Sequence, residues 1–186
     1  PDRAGRPIFR AVSRGANPIL ALRAYPPSPR LTVIVTDVGA EPGVLDAMLK
    51  LDKDVTYAVS VNAPHAKAVA ARLVESGREL IAHLPMEPTD AKAIDGPAFL
   101  TRKMTTLEVQ DRTRRFLDLL PTAVGADGHL GGAFASSSKH IGAVLEVLAH
   151  RGLYFLDQRP SDASVATATA KALGVRSAAR THRLES

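Results

Sequence analysis

The sequence predicts an α/β domain built on a parallel sheet, and three observations carry that expectation. From residue 31 onward, short β-branched runs alternate with longer segments whose apolar residues recur at helical spacing. Hydrophobic residues make up 45% of the chain but aromatics only 4%, with no tryptophan, so the core must be built from Ala, Val, Leu and Ile, as when helices pack on buried parallel strands. At 186 residues the chain has room for one domain with a substantial core and little room for two.

Residues 1–30 stand apart and read as an N-terminal arm or linker. They carry six Arg and end in Tyr25-Pro26-Pro27-Ser28-Pro29-Arg30, a run that neither continues a helix nor fits a central strand. Residues 1–7 read as disordered. Ile8, Phe9, Val12, Ile19 and Leu20 suit an extended arm able to dock on the domain.

The domain proper is expected over residues 31–186. Its first strand covers 31–36, and a helix over 41–51 follows, with Val44, Leu45, Met48 and Leu49 on one face. A second strand spans 55–61. The next helix, 64–76, places Ala66, Val69, Ala70 and Leu73 at helical intervals and has Gly77 as terminator. A third strand, 79–83, leads to a Pro-rich loop over 84–101. Thr105 or Thr106 caps a helix over 105–120, with Glu108 in its first turn. A fourth strand at 123–126, a helix at 138–151, a fifth strand at 153–156, a helix to Leu173 capped by Ser161 or Asp162, and a sixth strand at 175–178 complete the pattern. Such alternation requires right-handed crossovers, in a sheet left open or closed toward a barrel, and gathers ligands at the C-terminal ends of the strands.

Those ends carry the chemistry. Asp37 follows the first strand, His83 ends the third, Asp127 and His129 follow the fourth, and Asp157 follows the fifth. Two neutral imidazoles and a carboxylate make a nitrogen and oxygen donor set suited to zinc or another first-row divalent metal, with positions left for substrate. Taken singly, Asp37 also reads as a turn former before Val38-Gly39, and His83 as a hydrogen-bonded core histidine. His129 lies in Gly128-His129-Leu130-Gly131-Gly132, where glycines allow close backbone approach to a ligand. His65, His140, His150 and His182 read as surface residues.

Composition narrows the partners. Cysteine is absent, so thiolate ligands and disulfides are excluded. The formal charge of +5 is scattered among Asp and Glu, as on a solvated surface, and no stacking aromatics interleave with the basic residues, so nucleic acid is not an expected partner. An anionic envelope polymer fits such a surface. No apolar run approaches the ~20 residues of a membrane span, and no cleavable leader opens the chain. The first turn also lacks a phosphate-cradling glycine pattern.

The segment His83-Leu84-Pro85-Met86-Glu87-Pro88 resembles a hallmark of divergent polysaccharide deacetylases, relatives of metal-dependent esterases acting on N-acetylated sugars. Val33-Ile34-Val35-Thr36-Asp37-Val38-Gly39 is similar to that family's first motif, Gly125-Ala126-Asp127-Gly128-His129-Leu130-Gly131 to its second histidine motif, and Leu156-Asp157-Gln158-Arg159 to its Asp-x-Arg motif. The resemblance implies a distorted or incomplete (β/α) barrel with a metal, most simply zinc, on Asp37, His83 and His129. It implies amide hydrolysis of an envelope polysaccharide or peptidoglycan-type glycan by a periplasmic or secreted protein. Asp157 or Asp127 would serve as proton acceptor, with Arg159 and Glu87 in contact with substrate. Three departures stand out. Thr36 replaces the first aspartate of the family's usual pair, the general base of the related esterases; Asp127 and Gly128 replace amides; and the sequence stops near Leu184-Glu185-Ser186, short of further βα units, so either the C-terminus has been lost or the barrel is open. The alternative to an enzyme is a silent relative that binds glycan or a cell-wall enzyme as an adaptor.

Overall fold

The computed structural model describes residues 8–14, 17–24, 32–94, 98–159 and 161–182. The expectations for residues 1–7, for the Pro-rich run 25–30 and for the C-terminal residues 184–186 lie outside them.

Two compact units divide near residue 32. In the first, β1 (Ile8–Arg14) pairs antiparallel with β2 (Asn17–Ala24), from Ile8 opposite Ala24 to Arg14 opposite Asn17, with a register shift at Val12/Ser13. The expected extended arm is thus a two-stranded ribbon.

The second unit holds a six-stranded sheet: β3 (Ile34–Val38), β4 (Thr56–Ser60), β5 (Leu80–Met86), β6 (Gly125–Leu130), β7 (Tyr154–Asp157) and β8 (Ser177–Ala179). Every pairing in it is parallel and the spatial order is the sequence order. Right-handed crossovers that each step one place in the same direction keep all helices on one face and leave the other face to curl inward. The result is an open β/α barrel whose outer strands, β3 and β8, do not pair with each other.

Burial follows this one-sided winding. Tyr57, Val59, Leu80, Ala82, Leu84, Met86, Ala126 and Phe155 form a single apolar core with α2 (Ala66–Glu75), α3 (Thr106–Leu119), α4 (Ser138–His150) and α5 (Ala166–Ala172). The alternate strand residues Ala58, Ile81 and Leu156 pack with Ile34 and Tyr154 on the inner face. Near the N-terminal end of that face, Thr56 and Tyr154 both donate to Glu79 Oε1 at 2.9 Å. Gly125 is required beside them, because a Cβ there would lie 2.8 Å from the Tyr154 ring.

Helix α3 starts as its sequence directs. Thr105 Oγ1 accepts from the Glu108 amide and the Glu108 carboxylate accepts from the Thr105 amide, a reciprocal cap. Two other elements differ from expectation. The helix expected over 41–51 is a 3-10 turn, Pro42–Val44, followed by one turn of helix, α1 (Leu45–Met48). Helix α5 begins after Val165 without a side-chain cap, later than Ser161 or Asp162.

The largest shift in boundary is in β5, which continues through Pro85 to Met86. A proline is costly in a central strand because it lacks an N–H. Here β4 has already ended, and the Leu100 amide bonds the Pro85 carbonyl at 2.8 Å on that side. The edge facing Pro85 therefore asks for no donor, and the strand carries on. Strand β6 likewise extends from Gly125 to Leu130, so Asp127 and His129 lie within it rather than after it. No helix among the described residues is long and apolar enough to cross a membrane.

Candidate metal centre

Register explains why the histidines meet. His83 pairs with Asp127 and Pro85 with His129, so His83, Asp127 and His129 all face the inner side, in adjacent rows. Met86 locks that register: Gly128 and Gly131 lie against its side chain, and the Glu87 carbonyl accepts from the amides of Ala133 and Phe134. The glycines around His129 thus serve packing between β5 and β6.

Asp37 arrives from β3, two strands away from β5. Ser60, the β4 register partner of His83, presents only a small side chain in between. A register irregularity between Val35 and Val38 and a left-handed backbone at Asp37 (φ 59°) turn the carboxylate toward the histidines. Aspartate tolerates that conformation better than most residues. Asp37 Oδ1 lies 3.0 Å from His129 Nδ1 and 3.4 Å from His83 Nε2, and the two ring nitrogens are 3.0 Å apart.

This triangle fits a cation. A tetrahedral zinc with bonds of ~2.0–2.1 Å keeps its donors ~3.3 Å apart. Two imidazole nitrogens at hydrogen-bond distance need a proton or a cation between them, and the carboxylate contributes the negative charge such an ion requires. Asp37, His83 and His129 form the one group of three such side chains, among the described residues, whose donor atoms lie close enough together to hold a metal ion.

Asp127 sets the orientation of the buried His83. Its carboxylate has no solvent exposure, and Oδ1 lies 2.7 Å from His83 Nδ1. An ionised carboxylate only accepts, so Nδ1 carries a proton and Nε2 is directed to the triangle. Burial opposes a positive charge on His83, but the attraction and hydrogen bond of Asp127, with those of Asp37, outweigh it and raise the imidazole to about 9. Hydrogen bonds from His129 and His83 hold the Asp37 carboxyl far below the usual carboxylate range, against the opposing effect of burial.

A pH dependence follows for the metal-free chain. The folded-state value of His83 lies above its unfolded value of ~6.5, so its contribution is fully present below that pH and is lost as pH rises through about 9. A metal ion must displace the His83 proton, so its affinity rises over the same window. Thermal melts with and without added zinc are expected to show a zinc-induced stabilisation that grows from mildly acidic to alkaline pH. A gain independent of pH would contradict the ligand role of His83.

Not every expected residue joins this cluster. Asp157, expected to meet the histidines as proton acceptor, is one residue out of phase. Its register partners place Leu156 on the inner face beside Asp127 and turn Asp157 toward the helix layer. There it accepts from Ser164 Oγ, Thr167 Oγ1 and the Arg159 amide, organising the turn into α5. Asp127, the other expected proton acceptor, has both oxygens engaged, by His83 and by Gln158 Nε2 at 2.5 Å, and is sealed from solvent. Glu87, expected to contact substrate, is held by the Arg102 amide at 2.6 Å and its guanidinium at 3.2 Å. The Arg159 side chain is exposed on a left-handed backbone (φ 45°). His140, read from sequence as a surface residue, is buried between Ser137 Oγ and the Met104 carbonyl. Gln158 was missed because an amide after a strand gives no chemical signal until the register is known.

An open β/α barrel with a two-histidine, one-carboxylate cluster toward the C-terminal ends of its strands fits the arrangement that the motif resemblance implies. Residues 33–186 match the family described as divergent polysaccharide deacetylase, and the chain belongs to that family. An uncharacterized protein of Haemophilus influenzae is 30% identical over 149 residues, 80% of this chain and 52% of that protein. The uncharacterized protein YibQ of Escherichia coli is 28% identical over 176 residues, 95% of this chain and 53% of YibQ. The chain thus spans about half the length of these relatives. Among solved structures, the uncharacterized protein ATU2773 from Agrobacterium tumefaciens shares the fold, with a TM-score of 0.73 at 22% identity, over 80% of this chain and 61% of that one.

Proposed function

We propose that this chain is a metal-dependent deacetylase-like hydrolase acting slowly on an N-acetylated envelope polysaccharide or peptidoglycan-type glycan. The observation that carries the reading is the convergence of Asp37, His83 and His129 to mutual donor distances of 3.0–3.4 Å. These three residues would hold the ion, most simply zinc given the imidazole and carboxylate donors. A divalent ion bound there supplies the Lewis acidity that amide hydrolysis uses. Asp127 keeps His83 in the orientation that faces the ion, and Thr36 Oγ1 donates to Asp37 Oδ2 at 3.1 Å, holding the other carboxylate oxygen toward the histidines. Such a substrate places the protein in the periplasm or outside the cell.

Slow turnover follows from the same hydroxyl. Thr36 occupies the position of the usual base and cannot accept a proton near neutral pH, and among the described residues Asp37 is the one carboxylate of the donor triangle. General base catalysis contributes about 10²–10⁴-fold. Acetate release from N-acetylated oligosaccharides by the zinc-loaded chain is therefore expected to be weak, and Thr36→Asp is expected to raise it toward that factor. A robust wild-type rate that Thr36→Asp leaves unchanged would contradict this assignment. The Thr36 hydroxyl also supports a second reading, a silent adaptor that binds glycan or a cell-wall enzyme; zinc-loaded chain with no turnover in either form would favour it.

A further inference from the structure

Asp127 is itself held. Gln158 Nε2 donates to Asp127 Oδ2 at 2.5 Å, and Arg180 Nη1 donates to Gln158 Oε1 at 3.1 Å. Gln158 is 8% exposed and follows the end of β7; Arg180 follows β8 and is half-buried. Both lie two residues beyond inner-face positions: Leu156, the register partner of Asp127, and Ala178, the register partner of Leu156. The Arg180 amide continues the ladder by bonding the Asp157 carbonyl at 2.8 Å. Four side chains from four consecutive strands and the residues just beyond them are thus joined in one chain of contacts, Arg180 to Gln158 to Asp127 to His83.

The order of donors along this line is fixed by chemistry. A guanidinium can only donate and a carboxylate can only accept, so an amide between them has one workable orientation, with oxygen to Arg180 and nitrogen to Asp127. Removal of Arg180 would let the amide turn over; removal of the amide would free Asp127 to rotate away from His83.

We propose that Gln158, oriented by Arg180, is a positioning residue of the metal centre that fixes the Asp127 carboxylate and through it the ring of His83. The inference rests on the metal-centre reading. It accounts for the pairing of two features of this chain, an acid at position 127 and an amide at position 158. An unbraced acid would be free to swing; a braced one is a directional acceptor for His83.

Zinc affinity of the full chain, measured by competition with a chromophoric chelator, tests it in a double-mutant cycle. Gln158→Leu is expected to weaken binding about 10–100-fold, the usual cost of losing an outer partner of a metal-bound histidine. Asp127→Asn is expected to weaken it comparably, and the double variant by little more than either alone, because Gln158 acts only through Asp127. Arg180→Met, at the outer end of the line, carries the test should Gln158→Leu not fold, and is expected to weaken zinc binding about threefold or more. Wild-type zinc uptake that Gln158→Leu, or in its place Arg180→Met, leaves unchanged overturns the positioning role alone. So do effects of the two single variants that simply multiply. A wild-type chain that takes up no zinc overturns the metal-centre reading and this role together.

Discussion

Asp127→Ala is expected to destabilise the folded chain by about 3 kcal/mol near neutral pH, the cost of stranding a buried ionic partner. His83 is 3% exposed and would lose the acceptor for its Nδ1 proton, and Gln158 would lose its acceptor as well. The penalty is expected to shrink above about pH 9, where His83 is neutral in the wild type too and the hydrogen bonds to the Asp127 carboxylate remain to be lost without the ion pair. Denaturant midpoints at neutral and alkaline pH measure both parts. An equal loss at both pH values would show that the pair is not ionic.

His129→Ala is expected to separate metal binding from folding. Its side chain is 36% exposed and supplies one corner of the donor triangle, so its loss strands no buried charge. Zinc affinity should fall by more than the ~100-fold that an outer partner can cost, while stability changes by less than about 1 kcal/mol, as at partly exposed sites. His83→Ala cannot make the same separation, because it would leave Asp127 buried against Gln158 alone and unfold part of what it tests. Chelator competition and a denaturation curve on His129→Ala together check the prediction; unchanged zinc affinity removes His129 from the site.

Much of this is legible in the sequence, and most of what is not has a common cause. Alternating periodicities located the six strands of the sheet and the helices between them, because burial on a parallel sheet leaves apolar runs that a sequence displays directly. The triad was legible because Asp37, His83 and His129 belong to three separate segments that the topology must bring to one edge. Which residue of a neighbouring pair faces inward was not legible. Asp157 and Gln158 are adjacent, and a shift of one residue exchanges the barrel interior for the helix layer. Only the pairing of Leu156 with Asp127 decides between them, and that is a long-range fact. Pro85 misled for a related reason, since a proline ends a strand only where a partner demands its N–H, and here β4 has already stopped. The β1–β2 ribbon carried a local signal, Gly15-Ala16 between two short runs bearing apolar residues, that the reading as an arm passed over.

X-ray absorption at the zinc edge on the zinc-loaded chain tests the central claim most directly, because it reads the ligands themselves. The account predicts a four-coordinate zinc with two imidazole nitrogens and oxygen donors at ~2.0–2.1 Å, with one imidazole lost in His129→Ala. A zinc environment without histidine, or one that His129→Ala leaves unaltered, would contradict it.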